Sequence, residues 1–364
     1  MRFCIHRGTR EIGGTCVEIE SQGKRIVLDV GLPLDVVDKD DMPLHPVPGF
    51  DKPEPSLLGV VISHPHQDHY GLAHRLPEET TFLIGEAARS ILEAADDFTP
   101  AGLKLKNVIH LEDRSSIVLG PFTITPYLVD HSAYDSYAVL VEADGNRLFY
   151  SGDFRAHGRK SKAFVRLVAD PPEGVDTLLM EGTSLGRSQC DGVYPSEDDL
   201  VDRFVGHFNE SEGLVLVWAS GQNIDRIVTL YKACRRARRT LILDLYTAHV
   251  LRATGNSRIP QAHWQYIRVF LPASQKWRII RSDSYHLSDA FLPYRIYPEQ
   301  ITREADKAVM LFRPSMISDL DRIDGLRVGR LICSVWGGYL TDGRNRRLVD
   351  WLREWGIEVS HCHT

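Results

Sequence analysis

Six consecutive residues constrain this chain more than any other stretch. His64-Pro65-His66-Gln67-Asp68-His69 follows directly on the apolar run Leu57-Leu58-Gly59-Val60-Val61-Ile62-Ser63. A short apolar run bounded by turn residues predicts a buried strand, so three imidazoles and a carboxylate leave the end of one strand together. Imidazole nitrogen and carboxylate oxygen are the donors that suit zinc. The bland alternative is a surface loop that happens to be rich in histidine, and the density of donors directly after a buried strand weighs against it. One local cluster cannot enclose two ions, so a dinuclear site needs donors from elsewhere. His131, in Pro126-Tyr127-Leu128-Val129-Asp130-His131, and Asp153, in Tyr150-Ser151-Gly152-Asp153, both stand at the ends of strand-like runs. Either alone is weak, a hydrogen-bonded histidine or a turn aspartate, but their joint occurrence after the first cluster favours metal binding.

Around these residues the first half reads as β-rich. CVEIE and KRIVLDVG form a predicted hairpin turning at SQGK, and the proline-dense DMPLHPVPGFDKPEPS is a loop. EAARSILEAADD predicts a helix, then SSIVLGPFTITPYLV, SYAVLVEA and RLFYSGD predict strands, the last two joined by the turn pair Asp144-Gly145. VDTLLMEGTS reads as another buried strand, ending at Glu181. Past about residue 190 the texture changes to alternating helix and strand, the rhythm of a small parallel sheet. EDDLVDRFVGHFNE, QNIDRIVTLYKACRRARR and RRLVDWLREWG predict helices, and LVLVWAS, TLILDLY, VGRLICSVWGG and IEVSHCHT predict strands. The stretch 250–305 is aromatic and resists assignment.

At 364 residues the chain exceeds one ordinary domain. No apolar stretch reaches the length of a bilayer, which argues against a membrane partner, and the N-terminus shows no signal-peptide pattern. Six cysteines without paired spacing make no disulfide framework and fit a reducing cytoplasm. A formal net charge of −6 excludes a surface that is basic all over, yet a local basic strip can still hold phosphates. Two such groups are present: Arg155, Arg159, Lys160 and Lys162 after Asp153, and Lys232, Arg235, Arg236, Arg238 and Arg239 at a predicted helix end. Ser220, Gln222 and Asn223 lie between a strand and a helix, where backbone N–H groups favour a phosphate, although an ordinary helix cap explains them equally well.

The order of these motifs resembles the metallo-β-lactamase superfamily. The resemblance implies an αββα sandwich in which His64, His66 and His131 hold one ion, Asp68 and His69 hold the second, and Asp153 bridges both. The implied cofactor is a pair of divalent ions, zinc with manganese as the alternative. Asp29, ending Ile26-Val27-Leu28-Asp29, matches the superfamily's first motif, an acidic residue that orients the site from behind the ligands. REIGGTCVEIE, DHSAYDSYAVLVEADGNRLFYSGDF and LLMEGTS look like the β-CASP branch, and Asp-Ser-Tyr after the His131 motif leans towards ribonuclease J. That branch inserts an α/β domain after an acidic residue, matched here by Glu181, which with Asp68 makes the implied catalytic pair. The resulting expectation is a metallo-β-lactamase domain over 1–190, an inserted β-CASP-like domain over 191–345, and a return segment to the first domain over 346–364.

The same resemblance implies a nuclease acting on RNA, or on DNA, with homodimers by analogy only. Complete members of the branch carry two further histidines, one in an HxSGH segment that protonates the leaving group and one that completes the second metal's ligands. His363-Thr364 matches only the first two positions, so His363 is the candidate phosphate contact and a truncated form of a longer nuclease is expected. His361, Cys362 and His363 do not read as a separate metal site, because alternate strand residues point to opposite faces. Two alternatives stay open: a small-molecule hydrolase of esters, thioesters or lactams, and a nucleic-acid-binding protein with an incomplete site.

Overall fold

Period-two alternation sorts the first strands onto two faces at once. In a computed structural model describing residues 1–34, 42–183, 194–341 and 343–363, Ile26 and Leu28 face one core while Val27 faces another. Val61 likewise points opposite to Val60 and Ile62. A strand apolar on both faces must be covered on both sides. Six strands, β1 (Arg2–Arg7), β2 (Cys16–Ser21), β3 (Lys24–Leu28), β4 (Leu57–Val61), β5 (Thr81–Gly85) and β6 (Asn107–Leu111), form the first sheet in sequence order. Five more, β7 (Ile117–Leu119), β8 (Phe122–Leu128), β9 (Tyr137–Ala143), β10 (Asn146–Tyr150) and β11 (Thr177–Leu179), form a second sheet in the order β11-β10-β9-β8-β7.

The inner faces of the two sheets interdigitate: Ile19, Ile26, Leu28 and Leu83 meet Phe122, Ile124, Val139 and Leu148. The outer face of the first sheet is covered by the helix Glu86–Asp96 through Ala88 and Leu92. Outside the second sheet, Ala138, Leu140 and Phe149 pack against Phe154 and against Leu167 of the helix Ser161–Ala169. These layers are the expected αββα sandwich. The hairpin turns are chemically explicit, since Gln22-Gly23 and Asp144-Gly145 both take positive φ at their two central residues.

Sequence and structure differ at several places in this unit; the strand Arg2–Arg7 and the helix Ser161–Ala169, for instance, carry no clear signal in the sequence. SSIVLGPFTITPYLV, read as one strand, is a hairpin of β7 and β8 broken at Gly120-Pro121, where Gly120 has φ +59°. The Glu181 strand is an exposed three-residue edge rather than a buried strand, with Leu178 and Met180 both exposed. Strands β5 and β6 were absent from the sequence reading, because β6 alternates too weakly to separate from loop.

The chain divides into two units, Met1–Gly192 and Val193–Thr364; the expected boundary at 190/191 lies outside the described residues. In the second unit β12 (Leu214–Trp218), β13 (Thr240–Asp244), β14 (Ile267–Phe270), β15 (Ala308–Phe312), β16 (Val328–Cys333) and β17 (Glu358–His361) form a wholly parallel sheet ordered β14-β13-β15-β12-β16-β17. Central strand β15 escaped sequence reading because it follows the unassignable stretch with no turn signal of its own. Residues 346–364, expected to return to the first domain, belong to this second unit. Leu348, Trp351 and Leu352 of the helix Arg346–Glu354 enter its core, and β17 pairs with β16. The apolar stripe of that helix needs a partner, and the nearest sheet supplies it.

A buried ion pair ties this unit together. Arg226 and Glu197, 0% and 1% exposed, pair at 3.0 Å, and Arg226 also donates to Ser334 and to the Cys362 carbonyl. Removing one member strands the other charge, so Arg226→Ala is expected to cost about 3–5 kcal/mol, read as a fall in the denaturant midpoint. An Arg226→Met, Glu197→Leu double variant should lose less; equal losses would show that packing alone matters there.

Candidate metal centre

The loop from Ser63 to His69 is held by the backbone before any side chain acts. Val30 N and Leu32 N donate to the carbonyls of His69 and Gln67 at 2.8 and 2.9 Å, and Thr15 N donates to that of Asp68 at 3.2 Å. The approach is so close that a Cβ on Gly31 would lie 1.7 Å from the Asp68 carbonyl oxygen. Gly31→Ala must therefore push the donor loop away from β3, an overpacking cost of about 3 kcal/mol. Its thermal midpoint and its zinc content should fall together, and an unchanged metal content would show that the loop tolerates the shift.

Three segments then bring the donors together. The rings of His64, His66 and His131 have centroids 4.6–5.0 Å apart, and His131 Nε2 lies 3.2 Å from His66 Nδ1. On the other side His69 Nε2 lies 3.4 Å from Asp153 Oδ1 and 3.8 Å from Asp68 Oδ2. Two triads have all donor atoms within 4.8 Å of one another: His64, His66, His131 and His64, His69, Asp153. Asp68, expected as a ligand of the second ion, borders the second triad without belonging to either. Because the strand ends are fixed by two different sheets, residues as far apart as 64 and 153 meet without a designed loop.

Behind the donors sits Asp29, wholly buried and with φ +60°. Its carboxylate accepts from Ser63 N at 2.7 Å, Ser63 Oγ at 2.8 Å, Tyr150 OH at 2.6 Å and His69 Nδ1 at 2.7 Å. A carboxylate only accepts, so His69 keeps a proton on Nδ1, and Nε2 is the nitrogen turned towards the cavity. Ser63 Oγ, committed as donor to Asp29, takes His64 Nδ1 at 3.0 Å and sets that ring the same way. His64 Nε2 is buried with no hydrogen-bond partner. An orphaned imidazole nitrogen facing other donors fits a divalent cation, and a donor set of histidine nitrogen with carboxylate oxygen suits zinc.

The electrostatics agree. Burial, with neighbouring imidazoles adding to it, holds His64 and His131 well below the usual histidine range, and burial also lowers His66. All three are thus neutral and ready to bind. For His69 burial acts downwards too, but the Asp29 and Asp153 carboxylates outweigh it and raise it well above that range. Burial works against ionisation of Asp153, yet His69, by its charge and by a hydrogen bond, pulls it far down. The cavity favours positive charge between His69 and Asp153.

Glu181 sits in the loop after β11, accepting from Phe154 N at 3.0 Å, and so braces the residue after Asp153. Ser63, Tyr150 and Asp130 were missed in the sequence. Asp130, buried beside His131, accepts from Gly158 N at 2.7 Å and Lys160 N at 3.2 Å; nothing in a lone Ser, Tyr or Asp announces such a role. Of the first basic group, Lys160 donates to the His131 carbonyl at 3.0 Å and Arg155 lies 3.7 Å from Asp130. The second group is largely structural: Lys232 pairs with Asp198 at 3.1 Å, and buried Arg239 donates to the carbonyls of Gly213, Ala308 and Ser211. Asn223 caps its helix by accepting from Arg226 N at 3.0 Å, while Gln222 N donates to Ser220 Oγ at 3.2 Å. His363 lies in the second unit, exposed, just past β17.

An αββα sandwich with histidine and aspartate donors gathered at its strand ends defines a hydrolase of metallo-β-lactamase fold with a candidate metal centre. The profile of the beta-lactamase superfamily domain matches residues 24–214, more than half the chain, and the chain belongs to that superfamily. It is similar to ribonuclease J of Helicobacter pylori (strain ATCC 700392 / 26695), 27% identical over 234 residues that cover 60% of this chain and 33% of the relative. Ribonuclease J of Synechocystis sp. is 26% identical over 242 residues, covering 64% and 37%. The chain therefore matches about a third of the length of these curated relatives. A crystal structure of a protein of unknown function from Enterococcus faecalis V583 superposes over 100% of this chain and 87% of its own at a TM-score of 0.76 and 19% identity, which shows the shared fold alone. Among the described residues no helix is long and apolar enough to cross a membrane.

Proposed function

We propose that this chain is a metal-dependent nuclease that hydrolyses phosphodiester bonds of RNA, with DNA as the alternative substrate. The carrying observation is the pair of donor triads sharing His64. Two cations held there would acidify water at neutral pH and offset the charge that builds on an attacked phosphate. The chain's own part is to hold the donors. His64, His66 and His131 surround one position. His64, His69 and Asp153 surround the other, with Asp68 beside it and Asp153 as the bridge. Asp29 holds His69 Nδ1 directly and His64 Nδ1 through Ser63, which turns each Nε2 towards the cavity, and Glu181 steadies the backbone that carries Asp153. The likeness to ribonuclease J supports a nucleic-acid substrate, and the parallel-sheet unit is read as the β-CASP-like domain of that branch.

Purified protein incubated with 5′-monophosphorylated RNA and manganese or zinc should release shorter products, and an Asp68→Ala, His69→Ala double variant should release none. Binding without cleavage would sink the nuclease reading in favour of a nucleic-acid-binding protein, and turnover of a generic ester alone would favour a small-molecule hydrolase.

A further inference from the structure

The second unit places an aromatic shelf at the carboxyl ends of its parallel strands, the side of such sheets where ligands bind. Strand β16 ends at Cys333, and the chain continues as Ser334-Val335-Trp336-Gly337-Gly338-Tyr339. Trp336 is 63% exposed and Tyr339 is 41% exposed. Their rings meet edge to face with centroids 5.7 Å apart. Tyr339 in turn lies 6.1 Å from Trp218, which is 9% exposed at the end of β12 and anchors the shelf to the sheet.

Glycine makes this arrangement feasible. A Cβ on Gly338 would fall 2.3 Å from Cη2 of Trp336, so the indole lies against bare backbone while most of its surface stays exposed. A tryptophan this exposed buries little apolar area, and its placement is not explained by stability of the unit.

Charge selects the partner. Arg344, Arg346 and Arg347 fall within four residues immediately beyond the shelf, and Asn345 Nδ2 donates to the Tyr339 carbonyl at 3.0 Å, tying the two segments together. Arg346 and Arg347 occupy the first turn of the helix Arg346–Glu354, which has no acidic residue there. Cations at that end oppose the helix dipole; Arg346, 86% exposed, reaches Asp350 one turn on only at 3.8 Å, and Arg347 donates to Ser318 Oγ at 2.6 Å. A flat aromatic face beside closely spaced arginines fits a stacked base with its flanking phosphates.

We infer that Trp336 and Tyr339, flanked by Arg344, Arg346 and Arg347, form a docking shelf for unpaired bases of single-stranded nucleic acid. This deepens the nuclease reading and rests on it for the choice of polymer. The shelf lies wholly within the second unit and uses none of the metal donors.

The test is binding of an end-labelled oligouridylate to the full chain in EDTA, followed by anisotropy so that no tryptophan serves as reporter. Trp336→Ala is expected to weaken binding about tenfold, Trp336→Phe to recover most of the loss, and Gly338→Ala to weaken it by lifting the indole. Replacing Arg346 and Arg347 by alanine should reduce the slope of log affinity against log salt by about one for each arginine. A duplex of the same length should bind more weakly than the single strand. Affinity unchanged in Trp336→Ala, duplex bound as tightly as single strand, or no binding by the unaltered chain would each overturn the shelf. Cleavage of RNA by the unaltered chain, measured separately with metal, distinguishes the two readings. Cleavage with Trp336-independent binding removes the shelf alone, and Trp336-dependent binding without cleavage removes the nuclease alone.

Discussion

If the chain holds two ions as proposed, Asp153→Ala is expected to lower its metal content to one or fewer per chain and to abolish the proposed hydrolysis. Asp153 contributes the only carboxylate in either donor triad. Its Oδ1 stands 3.4 Å from His69 Nε2, and His69 holds it ionised in spite of its burial. Without it a divalent cation at the second position would meet only neutral nitrogens and the peripheral Asp68. Metal ions contribute several kcal/mol to stabilising charge in such transition states, and each 1.36 kcal/mol is tenfold in rate, so a loss of about 10³–10⁴ in turnover is expected. Elemental analysis decides the first half of this prediction. Two equivalents of zinc remaining in Asp153→Ala would mean that the bridge is assigned to the wrong residue.

Asp29→Ala is expected to destabilise the first unit strongly. The wholly buried carboxylate accepts from Ser63 N, Ser63 Oγ, Tyr150 OH and His69 Nδ1. Alanine leaves those donors without water or acceptor, at about 1–3 kcal/mol for each one stranded. It must also adopt the positive φ that aspartate tolerates better, adding about 1 kcal/mol. Partial relaxation leaves a net loss of about 4 kcal/mol. For a unit of this size that corresponds to a fall in thermal midpoint of roughly 10 °C. Metal affinity should fall by about 10–100-fold as the His69 and His64 tautomers come free. Asp29→Asn, which keeps the shape, one acceptor oxygen and the tolerance of positive φ, should lie between. A variant with alanine that melted like the unaltered protein would show that Ser63, Tyr150 and His69 find other partners.

These two residues also mark how far a linear reading reaches. Asp153 was legible because it ends a strand in the right order after the His64–His69 run. Asp29 was legible only as a strand-end acid, and what it holds was not: Ser63 and Tyr150 carry no pattern, and their meeting depends on β4 and β10 packing face to face. Asp68 shows where spacing stops short. Its place in the run suggests a ligand, and the short helix Gln67–Tyr70 sets its carboxylate 3.8 Å from His69 Nε2, beside the second triad. Asn223 was read equally as phosphate contact or cap, and the geometry makes it a cap.

In the fold, elements with strong local signals were readable: the hairpin turns at Gln22-Gly23 and Asp144-Gly145, the helix Glu86–Asp96, and the apolar strands β4, β12 and β13. Strand β15 and the membership of residues 346–364 were not, because both are settled by which neighbour covers an apolar face rather than by the residues themselves. By itself the sequence determined the donor types, their spacing and the alternation of apolar residues that makes two-faced strands. Only the tertiary structure decided which nitrogens face one another, which proton each ring keeps and which sheet claims the last strand. Those outcomes depend on hydrogen bonds and packing between segments far apart in the chain, and local periodicity carries no record of them.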